Sequence, residues 1–227
     1  MLPQFRIISI GTLDVHPLWN EAAASRTGHA TTTLISMGDE HVLVNPSLPS
    51  QALAARLSER TPVPDDSITQ VFMTSFQPDH RRGLRLFDGA RWLLHEPERQ
   101  TAAASFRESR AEVEEAGDEE LVAHYDRELG LLERCEAAED SLVPKVDLFP
   151  LPGVTPGTCG LLIALPARTV LISGDAVATL EHLEHGKVLP RCANLAQAQE
   201  SFKEAIEIAD VLIPGRDNIM LNPMRRV

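Results

Sequence analysis

The chain has 227 residues, is 43% hydrophobic and 24% charged, and carries 21 Lys+Arg against 33 Asp+Glu, a formal net charge of −12. That length suits one compact domain with a sizeable core, and the apolar share excludes wholesale disorder. The acidic balance argues against a nucleic-acid binder, which needs clustered Lys and Arg, and against attraction to an anionic membrane surface.

The first half reads as strands separated by turns. Phe5 to Leu13, Ala30 to Met37 and His41 to Asn45 are β-branched and apolar, and Gly38-Asp39-Glu40 makes a hairpin turn between the last two. Pro49 to Arg60 has Ala52, Leu53 and Leu57 on one helical face, with Ser47 or Ser50 as candidate caps. Ile68 to Thr74 is a buried-type strand, Asp79 to Phe87 a short helix and Ala90 to His95 another strand.

Composition changes at Glu96. From Glu96 to Asp140 there are 15 acidic and 5 basic residues, a net −10. Two solvated helices broken near Gly117-Asp118 are expected, with Leu121, Val122, Tyr125, Leu129 and Leu132 on one packing face. A helical lid or a dimerisation hairpin is the functional alternative. Strands return at Val146 to Leu151, Gly160 to Leu165 and Thr169 to Ser173. Asn194 caps a helix through Ala209, and Val211 to Ile213 is a final strand stopped by Pro214-Gly215. Strands at both ends with helices between predict an α+β or α/β sandwich.

Cys135, Cys159 and Cys192 have no CxxC spacing and do not read as a disulfide framework. Met1 to Arg6 lacks a basic region followed by an apolar core, and no apolar run is long enough for a bilayer. A soluble cytoplasmic protein is the expectation.

Four strand-end loops offer polar residues. They are Thr74 to His80, Pro152 to Thr158, Gly174-Asp175 and Pro214 to Asp217, with Val44-Asn45-Pro46-Ser47 as an earlier fifth. In order and spacing these resemble the metallo-β-lactamase superfamily of metal-dependent hydrolases. Its hallmarks are an Asp-x-Gly-like loop, His-x-His-x-Asp-His, Pro-Gly-His, Gly-Asp and a C-terminal Pro-Gly-His. The resemblance spans nearly the whole chain. It implies a four-layered αβ/βα sandwich over residues 1–227, with the acidic helical segment 97–141 as an insertion.

It also implies where ligands would stand, and here the chain departs. The three histidines of one ion correspond to Ser75, Gln77 and Thr158, whose hydroxyl and amide groups bind zinc weakly. Asp79, His80 and the bridging Asp175 remain, but the last histidine is Arg216 and the early Asp is Asn45. Two facing carboxylates need a cation between them, and Arg216 is the candidate to supply it. Ser75, Gln77, Asp79, His80, Thr158, Asp175 and Arg216 therefore form the expected ligand pocket.

The expectation is a degenerate metal centre that favours no cofactor and binds a small anionic ligand or a protein partner, such as an active paralogue or a second copy in a homodimer. The alternative is a mononuclear hydrolase of an ester, thioester or lactone, with one zinc, iron or manganese ion on Asp79, His80 and Asp175. His16, His29, His182 and His185 are supplementary ligands in that reading, and otherwise surface or packing residues. Arg81 and Arg82 form a solvated helix face or, with Arg216, an anion pocket. Trp19 and Trp92 read as core or pocket wall, Cys159 as inert core. Ser75 with His80 as base lacks an oxyanion hole.

Overall fold

The structure, a computed structural model, describes residues 1–225. Among the described residues twelve strands form two six-stranded mixed sheets. The first holds β1 (Gln4–Ser9), β2 (Thr32–Met37), β3 (Glu40–Val44), β4 (Gln70–Met73), β5 (Arg91–Leu94) and β6 (Cys135–Ala137), in that order. The second holds β12 (Met220–Leu221), β11 (Val211–Pro214), β10 (Arg168–Gly174), β9 (Cys159–Leu165), β8 (Val146–Pro150) and β7 (Ser141–Val143). The helices are α1 (Ser50–Arg60), α2 (Glu96–Glu115), α3 (Glu119–Glu133), α4 (Leu180–His185) and α5 (Leu195–Ile208).

The two-residue period of a strand creates the layers. Leu43, Val71, Met73, Trp92 and Leu94 face an outer core shared with Leu53 and Leu57 of α1 and Leu132 of α3. Their neighbours Val42, Val44, Phe72 and Leu93 face inward and meet Ile163, Val170, Ile172, Val211 and Ile213 of the second sheet. Leu171 and Leu212 point the other way, onto Phe202 and Ala205 of α5. Both faces of each sheet are thus covered, which is why the central strands read as continuous apolar runs. The four-layered sandwich agrees with the sequence reading.

Several local expectations need correction. The helix at Ser50 begins after Pro49 without a side-chain cap, because Ser47 Oγ donates instead to the Ala30 carbonyl (2.5 Å). The helix expected over Asp79 to Phe87 is two separate 3-10 turns, Pro78–His80 and Leu84–Phe87. Segment 97–141 is not purely helical. It includes β6, which pairs in parallel with β5, and it runs into β7. Leu121 is exposed rather than packed, while Leu132 is buried. The short strand β12 and the helix α4 carried no periodic signal strong enough to be read.

Parallel pairing sets up the site. β3, β4 and β5 run in parallel, as do β10 and β11, so the C-terminal ends of these strands open at one edge of the sandwich. At that edge the backbones come close. Gly174 has φ +53°, and a Cβ there would lie 2.8 Å from Thr74 Cβ and Oγ1. Gly174→Ala is therefore expected to destabilise the protein by about 1–3 kcal/mol through the disfavoured backbone and the clash. Urea unfolding measures it, and an unchanged midpoint would contradict the close packing.

Candidate functional site

Each motif residue is delivered by a strand end. β3 leads into Asn45, β4 into Thr74-Ser75, β10 into Asp175 and β11 into Arg216. Backbone bonds knit the loops together: Thr31 N–H donates to the Gly215 carbonyl (2.7 Å), Ala30 N–H to that of Asp79 (3.1 Å) and Cys159 N–H to that of Thr74 (3.0 Å).

At the centre lies the Arg216 guanidinium. Its Nε donates to Asp175 Oδ1 (2.7 Å) and its Nη2 to Asp175 Oδ2 (2.6 Å), a bidentate fork. Its Nη1 donates to Asp79 Oδ2. Nη2 also stands 2.9 Å from His80 Nε2. The same Nε2 lies 3.2 Å from Asp175 Oδ2, so this edge of the imidazole touches both the guanidinium and the carboxylate. Nδ1 lies 3.2 Å from Thr74 Oγ1. Thr74 is held by Asn45, whose Oδ1 accepts from the Thr74 N–H (2.9 Å) and whose Nδ2 donates to Oγ1 (3.0 Å). His80, Asp175 and Arg216 are buried; the Asp79 side chain is 27% exposed.

The electrostatics follow from this burial. Burial alone pushes the Asp175 carboxyl upward, but Arg216 and His80 more than offset it and hold the group well below the ordinary carboxylate range. For Arg216 burial acts downward, and the two carboxylates outweigh it, so the guanidinium stays charged.

A cavity of about 450 Å³ opens over this cluster. Asp79, Asp175, Arg216 and Gln77 form its polar part, with Leu13, Val154 and Leu189 among its apolar walls. Asp14 and Arg191 add charge at its lining. Ser75 and Thr158 are buried outside it: Ser75 Oγ has no hydrogen-bond partner, and Thr158 Oγ1 pairs with Thr155 Oγ1 (2.6 Å).

Residues 26–216 match the sequence profile of the metallo-beta-lactamase superfamily. The chain belongs to that superfamily. A metallo-beta-lactamase structure from Thermotoga maritima superposes with a TM-score of 0.69 at 19% identity, over 97% of this chain and 100% of the other. An N-acyl homoserine lactone hydrolase, described with its product at a catalytic metal centre, gives 0.64 at 18% identity, over 95% and 92%. AidC, described as a dizinc quorum-quenching lactonase, gives 0.64 at 15%, over 82% and 72%. A 7-methyl-GTP pyrophosphatase from Burkholderia thailandensis is 34% identical over 102 residues, 40% of this chain; the chain spans 46% of that protein's length.

The superfamily implies metal ions, and the donor set can be tested against them. Among the described residues no group of three or more His, Cys, Asp or Glu side chains is arranged to hold one. Asp79, His80 and Asp175 do converge, but their polar atoms face the Arg216 guanidinium. At the other position Ser75, Gln77 and Thr158 offer only hydroxyl and amide oxygens. These residues do not fit the group.

Other expected participants lie elsewhere. His16 and His182 converge on Thr179 Oγ1 (3.1 and 2.9 Å), not on the Asp79–Asp175 pair. His29 bonds the Thr27 and Ile10 carbonyls (3.1 Å each), and His185 the Glu181 carbonyl (2.8 Å). Arg81 is neither solvated nor part of an anion pocket. It is buried, donates to the Phe76 carbonyl (2.9 Å) and pairs with Glu128 of α3. Arg82 donates outward to the Gly28 carbonyl. Trp92 is core, but Trp19 is 53% exposed and stacks on His16 with centroids 4.1 Å apart. Burial pushes the Cys159 thiol up to about 12, which keeps it unreactive.

Two participants escaped the sequence reading. Thr74, the link between Asn45 and His80, looked like an ordinary strand end. Glu98 looked like one acid among fifteen, yet it is buried and its Oε1 accepts from the Phe76 N–H (2.7 Å). Only its place in the first turn of α2, after Pro97, hinted at a special role.

Arg216→Met leaves the buried Asp175 and the partly buried Asp79 uncompensated and is expected to cost about 3–5 kcal/mol, partly recovered by adding Asp175→Asn. Chemical unfolding of the single and double variants checks it; additive losses would refute the coupling. The His182 ring gives a pH signature. Burial and the nearby His16 lower it from 6.5 to about 4. The unfolded chain takes up the proton from pH 6.5 downward while the folded chain resists until about 4. Stability is therefore complete above 6.5 and falls by about 3 kcal/mol over that window. Unfolding free energies between about pH 6.5 and 5 are compared for the unaltered protein and His182→Leu; the other histidines contribute to both, so the shallower slope expected of the variant reads the His182 share.

Proposed function

We propose that this protein is a binding member of its superfamily, with Arg216 supplying the positive charge that an ion supplies elsewhere. The observation that carries this reading is the guanidinium's reach: one side chain donates to Asp79 and Asp175 and lies against His80. A conventional hydrolase of this fold generates its nucleophile on metal. Here the carboxylates that would grip an ion are already neutralised, and a fixed cation repels a second one. The centre is read as degenerate, and the cavity over it as a pocket that holds a small molecule without cleaving it.

The pocket's chemistry narrows the ligand. Its lining has three carboxylates, Asp14, Asp79 and Asp175, against two guanidinium groups, Arg191 and Arg216. Three N–H groups of Arg216 are spent on Asp79 and Asp175, and its Nη2 also lies against His80. This balance supports an uncharged ligand rich in hydrogen-bond donors over the small anion that the sequence suggested. Gln77 and the free edge of Asp79 are its polar contacts, and Leu13, Val154 and Leu189 its apolar seat.

Metal analysis tests the reading directly. Protein purified without chelator is expected to contain no stoichiometric zinc, iron or manganese and to bind none on titration. Arg216→Ala, which frees Asp79, His80 and Asp175, is expected to gain zinc affinity. Stoichiometric metal in the unaltered protein, with ester, thioester or lactone hydrolysis that disappears on chelation, would replace this reading by a mononuclear hydrolase.

A further inference from the structure

A second cavity, of about 340 Å³, lies beside the first and shares only Gln77 with it among their lining residues. Its walls are Phe76, Pro78 and Pro156 from the site loops and Ala102, Ser105 and Phe106 from α2, with Thr101, Thr155 and Glu98 as polar members. Phe76 and Phe106 meet edge to face, centroids 6.1 Å apart. The feature that sets this cavity apart is Glu98.

Glu98 is 3% exposed. Its Oε1 accepts from the Phe76 N–H (2.7 Å) and its Oε2 from the Thr155 hydroxyl (2.6 Å). Among the described residues no Lys, Arg or His forms an ion pair with it. Arg99, the next residue on α2, pairs with Glu96, and Arg81, which lies over the Phe76 ring, pairs with Glu128. Each Glu98 oxygen takes one donor and keeps a second lone pair. A buried carboxylate without a counter-cation is costly, and here it lines an otherwise largely apolar space.

We infer that this cavity is a binding site for an organic ammonium group carried on an apolar body. Three features of the wall match that chemistry. The carboxylate offers a full negative charge with open acceptor positions. Phe106, partly exposed at the wall, adds an aromatic ring beside the carboxylate, while Phe76 already carries the Arg81 guanidinium over its own face. The prolines and Ala102 accept the hydrocarbon. The site stands independently of the role given to Arg216, since no residue of that cluster lines it.

Phenylethylammonium, with uncharged phenylethanol as its control, tests the assignment by calorimetric titration of the whole protein. The ammonium is expected to bind saturably and phenylethanol at least about tenfold more weakly. Glu98→Gln keeps both cross-links, because an amide accepts from the Phe76 N–H and donates to Thr155, but it removes the charge. It is expected to weaken ammonium binding about tenfold or more and to leave phenylethanol unaffected. Ser105→Lys, at an exposed position on α2, keeps the test available if Glu98→Gln does not fold, and it should repel the ammonium selectively. Equal affinity for the two probes, or unaltered ammonium binding in the folded charge variants, overturns the assignment. Binding that survives Glu98→Gln but falls in Asp14→Asn belongs to the first cavity and overturns it as well.

Discussion

Everything at the open edge of this sandwich is organised by one guanidinium shared between two buried or half-buried carboxylates. Arg216 comes from the end of β11, Asp175 from the end of β10 and Asp79 from the turn after β4, so a single charge joins both sheets. Burying either carboxylate alone would be prohibitive. Burying Asp175 against a bidentate fork, with Asp79 closing the far side, makes the arrangement tolerable and leaves it intolerant of losing any one member. The same geometry explains why glycines flank the acid and the base: Gly174 and Gly215 let the two strand ends approach more closely than any Cβ would permit.

Around that charge a second set of contacts holds the loops in place. Asn45 bonds Thr74, and Thr74 meets His80, so the first sheet sets the imidazole that faces Arg216. On the other flank the acidic hairpin of α2 and α3 is anchored by polar groups rather than by apolar packing alone. Glu98 reaches into the loops, and Glu128 holds Arg81. The hairpin's charge is mostly solvated, but these two acids tie it to the site loops.

The loops at the strand ends were legible because their chemistry departs from strand and helix composition. Pro-Gly and Gly-Asp pairs after short apolar runs mark where a chain stops pairing, and their order identified the family. The roles of Arg81 and Trp19 were not legible. A solvated Arg and a buried one look alike in sequence, and a Trp that covers His16 from outside looks like one that fills a core. β6 was hidden because Cys135–Ala137 has only three residues and follows a strong helix, too short a stretch for alternation to show.

The sequence by itself determined the layers and the inventory: which strands carry two apolar faces and which loops end in Asp175 and Arg216. Those are properties of residue type and local period. Tertiary structure alone decided the partners. It turned Arg216 onto both carboxylates and His80, turned His16 and His182 away to Thr179, and buried Glu98 in the wall of the second cavity. Such pairings depend on which strand ends meet in space, across 41 residues between Asp175 and Arg216 and 137 between Asp79 and Arg216. No local rule reaches that far.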